Sequence, residues 1–169
     1  MQRLLEDTLD LAWLDTERPQ LATEPVQVLS IWEALRQDAC FESAWDAERL
    51  PCLLDAECRV QVHLDSIAQA LENLLRNAIR YSPAGGRVSL RGWREGAYWH
   101  LCLEDQGPGV AEQDLQRIFQ PYQRLDSAQG DGFGLGLAIA RRAVELHQGR
   151  IWASNGHPGL CMHLLLPAA

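Results

Sequence analysis

Residues 65–81, DSIAQALENLLRNAIRY, constrain the fold more than any other part of this chain. At about 100° per residue, Ile67, Ala70, Leu71, Leu74, Leu75 and Ala78 fall on one stripe of a helix. A stripe that continuous must be buried against a second layer. That layer follows directly: RVSLRGW (87–93) and AYWHLCLED (97–105) read as strands, joined through Glu95 and Gly96 as a hairpin. A helix laid over a hairpin predicts an α+β fold, a two-layer sandwich. Its single mixed sheet is mostly antiparallel, with helices packed on one face.

The rest of the chain extends this plan. Residues 1–15 carry apolar side chains at 1, 4, 5, 11 and 12, the seam of an amphipathic helix, and two prolines then mark residues 16–24 as a linker. From Pro25 a second helical pattern runs through VQVLSIWEALRQDAC, followed by short extended pieces at 41–45 and 60–63. Beyond the hairpin come a helical piece at 112–119, a polar stretch to Gly130, a helix to about His147 and two closing strands. The expected domain therefore spans 25–169.

Composition narrows the function. A chain of 169 residues, 47% hydrophobic and 22% charged, holds one proper core and a short appended segment. No apolar run approaches the roughly 18 to 20 residues that cross a bilayer, and no secretory signal is read, so a soluble chain is expected. A net charge of -8 argues against an electrostatic hold on nucleic acid or anionic lipid. All 15 cations are arginine. The lack of lysine excludes a Walker A loop and a Schiff-base lysine. Cys40, Cys52, Cys58, Cys102 and Cys161 form no CxxC pair, and their odd number points to reduced thiols. His157, Cys161 and His163 in HPGLCMH look like metal ligands, two of them on one strand face. No fourth ligand is near in sequence, and the reading as ordinary core and loop residues is stronger.

Three features carry chemistry. Asn73, Asn77 and Arg80 share one flank of the 65–81 helix, with Tyr81 between them and the apolar stripe. Amide oxygens at i and i+4 suit Mg²⁺ that keeps most of its waters and is shared with substrate phosphates. The alternative is a solvated face. Strand alternation turns Asp105 inward with Leu101 and Leu103, and a buried carboxylate needs donors. An adenine amino group is one such donor; the amides of the turn that follows are another. Gly107 and Gly109 in QGPGV let a flat ligand approach the backbone. Finally, GDGFGLGLAIARR (130–142) sets glycines at 130, 132, 134 and 136 against a helix start, whose bare amides and dipole favour an anion such as phosphate. A mobile loop and a tightly packed helix start compete with that reading.

Taken in order, ENLLRNAIRY, EDQGPG, IFQPYQR and GFGLGLAI resemble the N, G1, F and G2 boxes of histidine kinase catalytic domains of the GHKL class. The resemblance runs from about Pro25 to Pro167 and includes the closing strands. It implies a Bergerat-type fold that binds ATP with Mg²⁺ and transfers the γ-phosphate to a histidine in two-component signalling. On this resemblance Asn77 is the Mg²⁺ ligand, Asn73 and Arg80 line the phosphate side, and Tyr81 lies against the adenine. Asp105 accepts the adenine amino group, with Gly107 and Gly109 beside it. Gly132, Gly134, Leu135 and Gly136 form the lid hinge and triphosphate cradle, and Arg124 reaches the terminal phosphate. Asn73 and Arg124 are the expected catalytic groups. Two positions depart from the pattern: no acidic residue follows Phe119, and Phe133 stands where a small residue is frequent. Both bear on the packing of the lid.

GHKL relatives that hydrolyse ATP carry a glutamate four residues before the metal asparagine, where this chain has Asn73. Glu72 lies about 100° further round, beyond the stripe, and is poorly placed as a general base. Transfer to a separate nucleophile is favoured over hydrolysis. None of His63, His100, His147, His157 or His163 sits in a box like the family's acceptor HELRTPL. His63 and His147 read as structural. Residues 1–15 resemble the end of a dimerisation-domain helix, so the chain is expected to be a cytoplasmic catalytic fragment of an inner-membrane sensor. Its expected partners are that dimerisation domain and a response regulator, with no nucleic acid and no membrane contact of its own. The alternatives are a non-catalytic ATP-binding module and a GHKL-type hydrolase. A dinucleotide-binding oxidoreductase is set aside, because GFGLGL is not GxGxxG and follows no strand of a βαβ unit.

Overall fold

The computed structural model describes residues 5, 8, 12, 20–123 and 134–169. Leu5, Thr8 and Ala12 have helical backbone. The strands are β1 (Glu24–Gln27), β2 (Cys52–Leu53), β3 (Arg59–Val62), β4 (Ser89–Glu95), β5 (Tyr98–Glu104), β6 (Arg150–Asn155) and β7 (Leu160–Pro167). The helices are α1 (Val28–Ser43), α2 (Leu64–Tyr81) and α3 (Gly136–Leu146). Five strands form one sheet in the order β2-β4-β5-β7-β6, in which only β2 and β4 run parallel; β1 and β3 form a separate antiparallel pair. The expected α+β sandwich is the observed one.

The stripe read from the sequence is the centre of the core. Ile67, Ala70, Leu71, Leu74, Leu75 and Ala78 are each no more than 3% exposed and join one cluster with Leu90, Leu101, Leu103, Leu164 and Leu166 of the sheet. α2 also packs on α3. Strand β7 alternates strictly, its even-numbered residues buried and its odd-numbered ones half-buried, as expected for a sheet covered on one face. β5 departs from that rule, for His100 and Cys102 on the opposite face are also buried. His100 sits against Trp93 of β4 and Trp152 of β6.

Four local expectations change. The helix expected from Pro25 begins at Val28, because residues 24–27 pair with 59–62, Val26 opposite Val60. Pro25 lacks a donor, which confines it to a short edge pair of this kind. Residues 41–43, expected to be extended, continue α1 until Ala44 turns left-handed at φ 52. The piece at 112–119 is two 3₁₀ turns, Glu112–Asp114 and Arg117–Phe119, the second anchored by buried Ile118 and Phe119. β2 has no signal in the sequence beyond two apolar residues; its partner Leu90 supplies the order.

Candidate functional site

The candidate site lies where α2, the end of β5 and the start of α3 converge. Asp105 closes β5 with its side chain turned inward, 7% exposed. Its Oδ1 accepts from the Gly107 amide at 2.8 Å and the Leu160 amide at 3.2 Å; neither bond uses Oδ2. Burial pushes the Asp105 carboxyl above the ordinary aspartate range, and the two amide bonds partly offset the shift. Of the two expected donors, the structure shows the amide of the turn that follows, joined by that of Leu160. Oδ1 is thus held by the protein's own backbone.

The glycines of QGPGV are used by the chain itself. A Cβ at Gly107 would lie 2.6 Å from the Tyr81 carbonyl oxygen, so this position brings the end of α2 against the turn after β5. Val110 is clamped at two points by Asn155, whose Oδ1 accepts from the Val110 amide at 2.9 Å and whose Nδ2 donates to its carbonyl at 2.6 Å. Asn155 and Leu160, at facing ends of β6 and β7, thus hold the loop that carries Asp105 and Gly109. Sequence reading missed both, since one acts through its backbone and the other stands 45 residues from its partner.

Asn73 and Gly136 meet although 63 residues separate them. A Cβ on Gly136 would sit 3.6 Å from the Asn73 Cβ, and among the described residues the buried Asn73 Nδ2 has no hydrogen-bond partner. A buried amide donor left unpaired costs about 1–3 kcal/mol, which is recovered where a ligand oxygen supplies the acceptor. Beside it α3 begins at Gly136 with no side-chain cap among the described residues. Its first amides are therefore available to an anion. Leu135 is 1% exposed and packs with Ile139, fixing the entry of the helix. Gly134, at φ 71, carries a carbonyl that accepts from the Tyr122 amide at 3.0 Å, which ties the F-box segment to the glycine run.

The remaining expected residues are placed as follows. Asn77 is half-buried one turn beyond Asn73 on the same flank of α2. Arg80 is exposed, its guanidinium 5.7 Å from the ring centre of Tyr81, which is itself 40% exposed. Arg124 and Gly132, together with Phe133, lie outside the described residues.

Glu72 is turned away from this site. It pairs with Arg76 at 2.6 Å, and the same guanidinium reaches Glu42 of α1 at 3.6 Å. His63 and His147 are structural, as their sequence positions indicate. His147 Nδ1 donates to the Ala143 carbonyl at 2.6 Å and Nε2 accepts from the His63 amide at 3.0 Å. The His63 ring in turn accepts from the Ser66 amide and caps α2.

A sheet that ends in an inward acid, beneath two helices whose polar flank and uncapped start face each other, defines the catalytic-domain class of histidine kinase ATPases. Residues 63–169 match the histidine kinase-, DNA gyrase B- and HSP90-like ATPase family, and the chain belongs to that family. It is 76% identical over all 169 residues to the sensor protein PfeS of Pseudomonas aeruginosa, of which it covers 38%. It is 32% identical over 160 residues to the sensor histidine kinase WalK of Bacillus subtilis, covering 92% of this chain and 26% of that protein. Among solved structures, the histidine kinase AdeS of Acinetobacter baumannii superposes with a TM-score of 0.80 at 27% identity, covering 99% of this chain and 78% of that one. The chain thus spans well under half the length of the two sensor proteins it matches.

Proposed function

We propose that this chain is the ATP-binding and phosphoryl-transferring part of a sensor histidine kinase, and that its acceptor histidine lies on a dimerisation domain outside the sequence. The observation that carries the reading is the meeting of Asn73, its buried amide unpaired, with the uncapped start of α3. Two segments far apart in sequence come together there, bringing the Asn73 amide beside the first amides of a helix, an arrangement suited to a triphosphate.

In this reading Asp105 Oδ2 accepts the adenine amino group and the Tyr81 ring lies along the base. The amides of Leu135 and Gly136 and the Asn73 amide donate to phosphate oxygens, with Arg80 at the open side. Arg124 stabilises charge on the terminal phosphate. The Asn77 amide oxygen is a hard donor of the type Mg²⁺ takes, on the flank that faces the phosphates, and the donor set fits that ion. Magnesium supplies charge neutralisation to the transferred group. The protein's own part is positioning and electrostatic stabilisation, with no covalent step on the enzyme. Attack by the acceptor nitrogen on the γ-phosphorus breaks the bond to the β,γ-bridging oxygen and releases ADP. Residues 1–15 are the end of a dimerisation-domain helix and 16–24 the linker, and a response regulator takes the phosphoryl group from the histidine. The whole sensor would hold this domain on the cytoplasmic side of a membrane. No helix among the described residues is long and apolar enough to span one.

Hydrolysis is disfavoured by the ion pair that holds Glu72 against Arg76 on the far side of the stripe. The test is transfer in trans: labelled ATP, this chain and a separate dimerisation domain carrying the acceptor histidine. Label should move to the acceptor, and Asn77→Ala should lower the rate at least about 100-fold, the scale of losing one transition-state stabilising group. Tight nucleotide binding with no transfer would leave a binding module and sink the kinase reading.

A further inference from the structure

The outer face of the sheet, away from the helices, carries a second constellation. Cys102 and Glu104 stand two residues apart on β5, so they share a face, and Cys161 of β7 lies directly opposite Glu104. The Cys161 sulfur is 3.7 Å and the Cys102 sulfur 4.0 Å from the same Glu104 Oε1, and all three donor atoms fall within 4.8 Å of one another. Arg91, on the neighbouring strand β4, pairs with that carboxylate.

We propose that Cys102, Glu104 and Cys161 form a binding site for a thiophilic divalent metal ion of the Zn²⁺ class, independent of the nucleotide site. Sulfur and oxygen ligands at about 2.3 and 2.0 Å from a tetrahedral ion stand roughly 3.5–3.8 Å from each other, close to the spacing already present. Small rotamer adjustments complete it. A direct disulfide is a poorer fit. Cys102 faces His163, so Cys161 is its diagonal neighbour, and diagonal α-carbons stand about 7–8 Å apart. A disulfide reaches about 4.4–6.8 Å. The two sulfurs can share a third atom more readily than they can bond.

Charge agrees. Two thiolates and one carboxylate balance a divalent ion together with the Arg91 guanidinium. Binding releases to solvent the protons of whichever sulfurs are thiols. His163, the residue HPGLCMH suggested, is engaged elsewhere. Its Nδ1 meets His100 Nε2 at 3.1 Å and its Nε2 meets Ser154 Oγ at 2.8 Å. The fourth position falls to water, because Glu104 and Cys161 are partly exposed. Two thiolates select Zn²⁺ or Cd²⁺ over Mg²⁺. The site shares no ligand with the flank of α2, although Glu104 and Cys161 adjoin Asp105 and Leu160 on the opposite face.

The experiment is a Co²⁺ titration of the reduced 169-residue chain, followed by displacement with Zn²⁺. One equivalent should bring thiolate-to-cobalt charge-transfer absorption and the visible bands of a tetrahedral ion, both removed by Zn²⁺. Cys161→Ser should lose at least half the charge-transfer intensity, and Glu104→Gln should bind at least about tenfold more weakly. A chain carrying Cys40→Ser and Cys52→Ser should keep the full spectrum. Absence of charge-transfer absorption in the unaltered chain, or an unchanged spectrum in Cys161→Ser, overturns the site.

Discussion

Asp105 carries a buried carboxylate held by two backbone amides. Its folded pKa is raised, so the folded state takes up a proton more readily than the unfolded chain, and the residue stabilises the fold only at low pH. That contribution is fully present below the unfolded value and lost as pH rises through the folded one. At neutral pH the buried charge is a net cost to the fold, which the proposed nucleotide contact would offset. Asp105→Asn keeps an Oδ1 for the Gly107 and Leu160 amides and removes the charge. The variant should unfold at equal or higher denaturant than the parent. Its nucleotide affinity should fall by about 1.5–3 kcal/mol, on the order of ten- to a hundredfold, the value of a hydrogen bond to a charged acceptor. The parent's affinity should also drop on acidification sooner than an ordinary aspartate allows, while the variant's stays flat. Calorimetry with ADP at several pH values measures both, and parallel profiles would refute the role. Alternation along β5 made Asp105 legible in the sequence, because inward Leu101 and Leu103 fix its side. The amide of Leu160 and the clamp of Asn155 were not legible, since every residue offers a backbone donor and only β-sheet register decides which one arrives.

At the scale of elements, one histidine holds three pieces together. His147 ends α3, bonds back to Ala143 and accepts the His63 amide at the junction of β3 and α2. Burial, with His63 nearby, holds its folded pKa below that of a free imidazole. The unfolded chain therefore protonates first. The stabilisation is complete above about pH 6.5 and is lost as pH falls through the folded value. Urea melts between pH 8 and pH 5 should show stability declining on the acid side. His147→Gln should weaken that decline and cost about 1–3 kcal/mol at neutral pH, through the buried partners it leaves unpaired. An unchanged pH slope in the variant would assign the acid sensitivity elsewhere. Strong periodicity explains why α2 and the β4–β5 hairpin were readable. β1 was not, because Val26 belongs equally to a helical pattern and only its partner Val60 makes it a strand. The contact of the glycine run with α2 was not readable, for Asn73 and Gly136 are joined by tertiary contact alone.

For the whole molecule, the charge of -8 sets a limit on how an anion can be held. At long range the protein repels a triphosphate, so in the proposed binding mode affinity comes from short-range donors: the start of α3, Asn73 and Arg80. These groups exist only in the folded arrangement, since α2, α3 and the end of β5 each contribute part. A ligand bound that way stabilises the native state by RT ln(1 + [L]/Kd), about 2.7 kcal/mol at a hundredfold excess over Kd. For a chain of this size each kcal/mol moves the melting temperature by roughly 2–4 °C. ATP with Mg²⁺ should therefore raise Tm by roughly 5–11 °C, and chelating the metal should remove much of the rise. Asn77→Ala should melt near the parent without ligand, because its side chain lies outside the apolar stripe, yet show the same small shift with or without Mg²⁺. Differential scanning fluorimetry on the two proteins distinguishes the cases. A parent that melts cooperatively and does not respond to ATP at all would place the nucleotide elsewhere, and with it the purpose of the unpaired donor on Asn73.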